Sequence, residues 1–304
     1  MAAIAPDGTS WARELKAFAR DIESRTQGRV KMKWYWAAIA GDEDQVLDRI
    51  RRDQLDVLAG SISCTKLAPS LRVTRVLGLF QNRDESEYVI GQLRGLLDGE
   101  FRAHGFVGFT SGLGNEILFT RTPIRSISDL RKSHPFLWSL DDLMIAQITA
   151  LGVRPVLAHI SEAAQTYEEG RSDGFIAVPT AALAFQWSAR SKYFTDLPLA
   201  LLPACLLISN RAIDAFPLGD QHAIRDAAAK LVSRFDDLNR TQDRKLLDEL
   251  FEKQGLQRVP TSPTFRSEFF AASNAVRATI PESMVTHALL AKVLGWLADF
   301  RGSR

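Results

Sequence analysis

The sequence predicts an α/β protein of two lobes, on three observations. Residues 1–59 alternate short apolar runs with amphipathic helical ones in a β-α-β-α-β order, the pattern that builds a parallel sheet. Residues 123–156 repeat the theme as loop, strand, helix and strand, and a chain of 304 residues has room for a second such body. Residues 220–254 then run without a Gly or Pro, which at ~1.5 Å per residue makes a helix of about 50 Å. A helix that long bridges two domains, exchanges with a second copy, or kinks.

Each element has a local cause. Residues 1–5 are apolar and extended, and Pro6-Asp7-Gly8 turns the chain. Thr9 or Ser10 caps a helix whose apolar face is Trp11, Leu15, Phe18, Ala19 and Ile22. After Gly28, alternation over 30–36 predicts a second strand; Gly41-Asp42-Glu43-Asp44 opens a helix with Val46, Leu47 and Ile50 on one face; and 55–59 is a third strand. Residues 60–70 read as a loop, 85–104 as helix, 106–109 and 117–120 as strands flanking a glycine-rich 111–114. Within 123–156, Ser139 and Asp141 are N-cap candidates for a helix carrying Leu143, Ile145, Ile148 and Leu151, and Gly152 stops it. A helix at 161–170, a strand at 172–178 ended by Pro179, a short helix at 180–188 and an apolar strand at 201–209 follow, with further helices at 263–279 and 282–300.

These elements divide as lobe I over 1–120 plus 200–220, lobe II over 121–199, a bridging helix over 220–254 and C-terminal helices over 255–304 packing on the lobes. No flexible linker interrupts the chain. The crossings near Thr120 and Leu199 are therefore ordered, and two lobes joined this way form a cleft that hinges. Parallel strands place ligands at their carboxyl ends, so 136–141 is the expected ligand-facing edge.

Composition narrows the function. With 38 basic and 36 acidic residues the net charge is +2, which gives no electrostatic case for nucleic acid or an acidic membrane. No apolar run reaches the ~18 residues of a membrane span. The start Met1-Ala2-Ala3-Ile4-Ala5 enters a strand directly, as a mature exported domain does once its signal is cut off and an initiator Met supplied; a cytoplasmic start is the alternative. Cys64 and Cys205 both sit among apolar residues and are expected as buried thiols, with a disulfide open to them in an oxidising compartment.

No catalytic or metal constellation appears. There is no nucleophile elbow and no paired-histidine helix, and His104, His134, His159, His222 and His287 share no ligand spacing. Ser111-Gly112-Leu113-Gly114 lacks the third glycine of a dinucleotide fingerprint. Asp42-Glu43-Asp44 is what a helix N-terminus favours through its dipole. Asn239-Arg240-Thr241 matches a glycosylation sequon but lies in the long helix. No enzyme, cofactor or metal is expected. Ser61 and Ser63, after the third strand, offer hydroxyls to a ligand.

Six segments in order resemble one family. They are 5–11 (APDGTSW), 28–33 (GRVKMK), Gly41-Asp42-Glu43 with Leu55-Asp56-Val57, 123–126 (PIRS) with Asp129-Leu130, 150–156 (ALGVRPV) and 167–174 (YEEGRSDG). Together they are similar to the extracytoplasmic solute-binding proteins of TRAP transporters, the tripartite ATP-independent periplasmic systems, in the DctP-type branch. The resemblance implies a two-lobed periplasmic-binding-protein-like α/β fold, with a cleft between lobes and a long helix spanning both. It also implies a periplasmic location, a small organic solute as ligand and TRAP membrane subunits as partners.

One departure stands out. The resemblance implies an arginine that clamps the ligand's carboxylate after Asp129-Leu130, and an ungapped count puts Phe136 there. After Asp173-Gly174 the chain is apolar through Val178, where the family often offers a polar side chain. The expected ligand is therefore neutral, apolar or aromatic, met by Trp11, Trp36, Ser61, Ser63, Asn115, Phe136, Trp138, Asp141, Val178 and Trp187. The alternatives are an organic acid held by a displaced cation, Arg121 or Arg154, and a sensing module without transport. The long helix also leaves room for a helix-exchanged homodimer.

Overall fold

The computed structural model describes residues 1–303, and its chain divides into two compact units. The first comprises Met1–Leu71, Gln92–Leu113 and Pro203–Arg240; the second comprises Arg72–Gly91, Gly114–Leu202 and Thr241–Arg304. The sequence reading assigned 72–91 and 114–120 to lobe I. Side-chain and strand pairing place them in the second unit instead: Leu77 donates its N–H to Gln147, and Ile117–Thr120 joins that unit's sheet.

The first unit carries a four-stranded sheet. Its strands are β1 (Ala2–Ala3), β2 (Val57–Gly60), β3 (Phe106–Asn115, whose last two residues fall in the second unit) and β9 (Leu201–Ser209), in the order β1-β2-β9-β3. β1 and β2 are parallel and β9 runs antiparallel to β2, so the sheet is mixed where an all-parallel one was expected. The alternation over 30–36 does not make a strand. Tyr35 makes a single parallel bridge to Ala2, flanked by hydrogen bonds from Met1 to the Lys33 carbonyl and from Ala37 to the Ala5 carbonyl, and the backbone turns away through left-handed Ala37 and Ala38. The helix Ser10–Arg25 forms where its cap residue requires, with the Thr9 side chain accepting the Ala12 N–H, and it buries Trp11, Leu15, Phe18 and Ile22. Leu15, Phe18 and Ile22 meet Val57, Leu206, Ile208, Ile224 and Leu231 in one apolar core. Each such burial stabilises by about 1.5–3 kcal/mol.

The span 60–70 is not a loop. Ile62–Leu67 is a helical turn and a half, and Pro69–Arg75 follows as 3₁₀ turns. The register that sets Gly60 opposite Cys205 brings that cysteine beside this turn, and Cys64 and Cys205 form a disulfide with Cα atoms 6.0 Å apart. The expected buried thiols are therefore bonded to each other.

The second unit holds six strands. They are β4 (Ile117–Thr120), β5 (Pro135–Trp138), β6 (Val156–Ala158), β7 (Gly174–Ala177), β8 (Tyr193–Thr195) and β10 (Gln257–Val259), in the order β10-β8-β4-β7-β5-β6. β5 is parallel to both β6 and β7, as the strand–helix–strand pattern of 123–156 predicts. β4 is antiparallel to β7 and β8. Asp141 caps the helix Asp142–Ala150. Leu137, Met144, Ile148 and Ile176 pack with Phe265 and Phe269 of the helix Pro263–Arg277.

The helix Leu218–Lys245 continues through a π-helical turn, Leu246–Leu250, to Lys253. The division between units falls inside it, at 240/241. Ile224, Ala227, Ala228 and Leu231 are core residues of the first unit, while Phe251 packs against Phe119 and Phe194 of the second. The helix thus contributes residues to both units.

Candidate functional site

In the second unit the carboxyl ends of β5 and β7 lie beside the amino end of antiparallel β4. Leu118 pairs with Ile176 and Thr120 with Gly174, while Pro135 also pairs with Gly174. This edge gathers Trp138 and Asp141 after β5, Val178 and Thr180 after β7, and Asn115 and Glu116 before β4. Four of the six were expected from the sequence; Glu116 and Thr180 were not.

A buried ionic cluster anchors the edge. Arg75 is 2% exposed; its Nε donates to Asp141 Oδ2 at 3.0 Å, its Nη2 pairs with the same oxygen, and its Nη1 donates to the Leu201 carbonyl at 3.0 Å. The same Nη1 lies 2.8 Å from Glu116 Oε2. Burial by itself would lower the Arg75 guanidinium, but Asp141 and Glu116 outweigh it and hold it above its usual range. Burial pushes Glu116 up to about 7, with Arg75 opposing and Asp141 reinforcing. Arg75 thus has both its acids inside the protein.

A second acid borders the same edge. Burial raises Asp243 to about 7, against the pull of Arg83 at 3.4 Å and the Thr180 N–H at 3.3 Å. A side chain on Gly114, whose φ is +147°, would collide with the Asp243 carboxylate. That approach explains the last glycine of 111–114 without any phosphate-binding role. Three buried atoms here, Asn115 Oδ1, Glu116 Oε2 and Thr180 Oγ1, have no hydrogen-bond partner, although Glu116 Oε2 keeps its ion-pair distance to Arg75. Buried polar atoms are ordinarily satisfied, so these unsatisfied atoms set the carboxyl edge apart from the rest of the sheet.

Phe136 and Trp187 do not present ligand-stacking faces. Phe136 is 2% exposed, with its ring centroid 5.8 Å from Trp187 and 6.4 Å from Phe175. Trp187 is stacked by Phe175 at 5.1 Å and by Phe185 at 5.0 Å, so both its faces are covered. The stack continues through Tyr167 to the Arg121 guanidinium, 4.2 Å from the tyrosine ring. Arg121 also donates to the Tyr167 carbonyl at 2.6 Å. It follows Thr120, at the amino end of β5 and β7, and Arg154 precedes β6 at that same end. A strand of four residues at about 3.3 Å each separates both from the carboxyl edge. Neither is placed as a displaced clamp.

In the first unit the expected residues meet at the carboxyl ends of β1 and β2. Glu43 is fully buried and accepts the N–H groups of Ser61 at 2.6 Å and Ser63 at 2.7 Å. A side chain on Gly60 would come within 2.9 Å of Glu43 Oε1, so the glycine admits the carboxylate. Burial carries Glu43 up to about 7 despite those two bonds. The Ser61 hydroxyl donates to the Pro203 carbonyl at 2.7 Å, and the buried Ser63 hydroxyl has no partner. The Trp11 indole donates to Asn239 Oδ1 at 2.7 Å, and Asn239, fully buried, donates on to the Gly112 carbonyl at 3.4 Å. The sequon asparagine is thereby occupied. Trp36 stacks on Trp34 at 5.4 Å with Lys16 over its ring, just before the left-handed Ala37 and Ala38. Left-handed alanines cost about 1–3 kcal/mol each and concentrate where a loop must hold an unusual shape.

Sequence reasoning missed Arg75, Glu116, Thr180, Asp243 and the role of Glu43. The one local signal was charge inside apolar sequence: Arg75 interrupts Leu71–Leu79, and Glu116 precedes an apolar strand.

Comparison with known proteins places the chain. The model of the DctP family, bacterial extracellular solute-binding protein family 7, matches residues 1–283. The chain belongs to that family. A solute-binding protein of Chromohalobacter salexigens is 23% identical over 232 residues, 74% of this chain and 68% of that protein. Among solved structures, a TRAP periplasmic solute-binding protein of Xanthobacter autotrophicus Py2 with bound β-D-galacturonate superposes with a TM-score of 0.86 at 20% identity, over 97% of each chain. Another, from Haemophilus influenzae RdAW with bound L-gulonate, gives 0.88 at 16% identity over 98% of this chain and 97% of that one. The chain has the two-lobed α/β fold of these receptors and, as a family member, is an extracellular solute-binding protein. Among the described residues, no helix is long and apolar enough to cross a membrane.

Proposed function

We propose that this receptor captures an uncharged organic solute rich in hydrogen-bond donors and delivers it, in the periplasm, to TRAP membrane subunits. The observation that carries the reading is the closed Arg75–Asp141–Glu116 cluster: the buried arginine at the carboxyl edge of β5 already holds two carboxylates. A ligand carboxylate there would meet Glu116, Asp141 and Asp243 before it found a free cation. Asn115 Oδ1 accepts and the Thr180 hydroxyl both accepts and donates, which suits hydroxyl or amide N–H groups. The disulfide supports an oxidising compartment.

A second reading rests on the neighbours, because galacturonate and L-gulonate are carboxylates. On that reading Arg75 exchanges Glu116 for the ligand's carboxylate. A thermal-shift screen of neutral polyols and amides alongside uronic and aldonic acids separates the two, since a ligand of the native state raises the melting temperature. Shifts with neutral donors, weakened in Thr180→Val, support the first reading. Shifts confined to the acids overturn it.

A further inference from the structure

The C-terminal helices of the second unit line a cavity that ligand capture leaves unused. Its volume is about 220 Å³, and its walls include Gly78, Gln81, Asn274, Arg277, Leu294 and Arg301. It shares no residue with the carboxyl edge described above. Arg277 ends the helix Pro263–Arg277, and Arg301 lies in the last turn of the helix His287–Gly302.

The two arginines are not equally compensated. Arg301 donates from Nε and Nη2 to the buried Glu85 carboxylate, each at 2.8 Å. Among the described residues Arg277 has only neutral partners: Asn274 Oδ1 at 2.5 Å and the Gly78 carbonyl at 3.5 Å, both from Nη2. Its Nε is buried and bonded to nothing. Burial, reinforced by the charge of Arg301, holds the Arg277 guanidinium below the usual arginine range. Arginine nevertheless stays protonated in proteins, so the site keeps a positive charge that only one acid offsets. One helical turn earlier, fully buried Ser273 also has an unpartnered hydroxyl. Its Oγ lies 3.0 Å from where a side chain on Gly78 would begin, and Gly78, at φ +61°, lines the cavity.

We propose that this cavity is a binding site for a small inorganic oxyanion of the phosphate or sulfate class, held principally by Arg277. The planar guanidinium matches an oxyanion edge, and neither its Nε nor its Nη1 is hydrogen-bonded among the described residues. Arg301 adds charge while it remains on Glu85. At about 30 Å³ per water, the volume takes one such anion with a few waters, and it falls below the ~300 Å³ at which pockets for organic ligands begin.

Isothermal titration of the full chain with inorganic phosphate, at constant ionic strength, tests the site. The wild type should bind one equivalent saturably, and Arg277→Gln should bind more weakly by about tenfold or more, the loss expected for a charge-assisted pair. Arg277→Lys, which keeps the charge and loses the fork, should fall between them and serves if the glutamine variant does not fold. Absence of saturable binding to the wild type, or equal affinity in wild type and variants, would overturn the proposal.

Discussion

Three residues separated in sequence by up to 66 positions, Arg75, Glu116 and Asp141, form a single buried ionic group. Such a group is costly to break, because removing the cation leaves two buried carboxylates with no charge to balance them. Arg75→Ala should destabilise the protein by about 3–5 kcal/mol, read as a lower urea midpoint. Glu43 makes a different prediction. Its folded value of about 7 lies above the ordinary 4.5, so the folded chain holds its proton more tightly than the unfolded chain does. The stability linked to that proton is complete below pH 4.5 and is lost as pH rises through 7. Glu43→Gln cannot titrate. It should therefore flatten the decline of stability across this window, by at most about 1.4 kcal/mol per pH unit, in urea melts taken at successive pH values. These roles were hardly legible in the sequence, since a lone Arg or Glu gives no sign of the distant partner that neutralises it. Asp141 was legible as a helix cap and as part of the ligand-facing edge, but not as a partner of Arg75.

At the scale of elements, local physics served well wherever it acted alone. The helix Ser10–Arg25, the strand Leu201–Ser209 and the unit from β5 to β6 follow from caps, periodicity and a stop glycine. It failed where tertiary pairing decides. The alternation of 30–36 suits a strand, yet it yields a single bridge at Tyr35 and no ladder, and β10 becomes a strand only because β8 lies beside it. The disulfide belongs here as well, since the β2–β9 register creates it across 141 positions. A Cys64→Ser/Cys205→Ser variant should lose about 2–5 kcal/mol, and a reducing agent should lower the melting temperature of the wild type but not of the variant. Thr180→Val removes a buried hydroxyl that lacks a protein partner, so it should leave the melting temperature of the unliganded chain unchanged or slightly raised while weakening solute capture.

For the whole molecule, the two-lobed fold and the receptor family were readable from six short segments in order, and the family match over residues 1–283 agrees. The chemistry at the sheet edge was readable only by subtraction. The missing arginine at Phe136 pointed away from a carboxylate clamp, but the aromatic ring itself is core, wedged against Phe175 and Trp187. The polar groups proposed to meet the ligand come from segments whose proximity only folding establishes. The central claim, that the ligand is uncharged, is tested most directly by matched pairs: galacturonate with galacturonamide, and L-gulonate with its amide, each titrated into the protein and read by melting temperature. Each pair differs in little but the charge. Stabilisation by an amide with none from its acid is the predicted result; stabilisation by an acid with none from its amide would contradict the account.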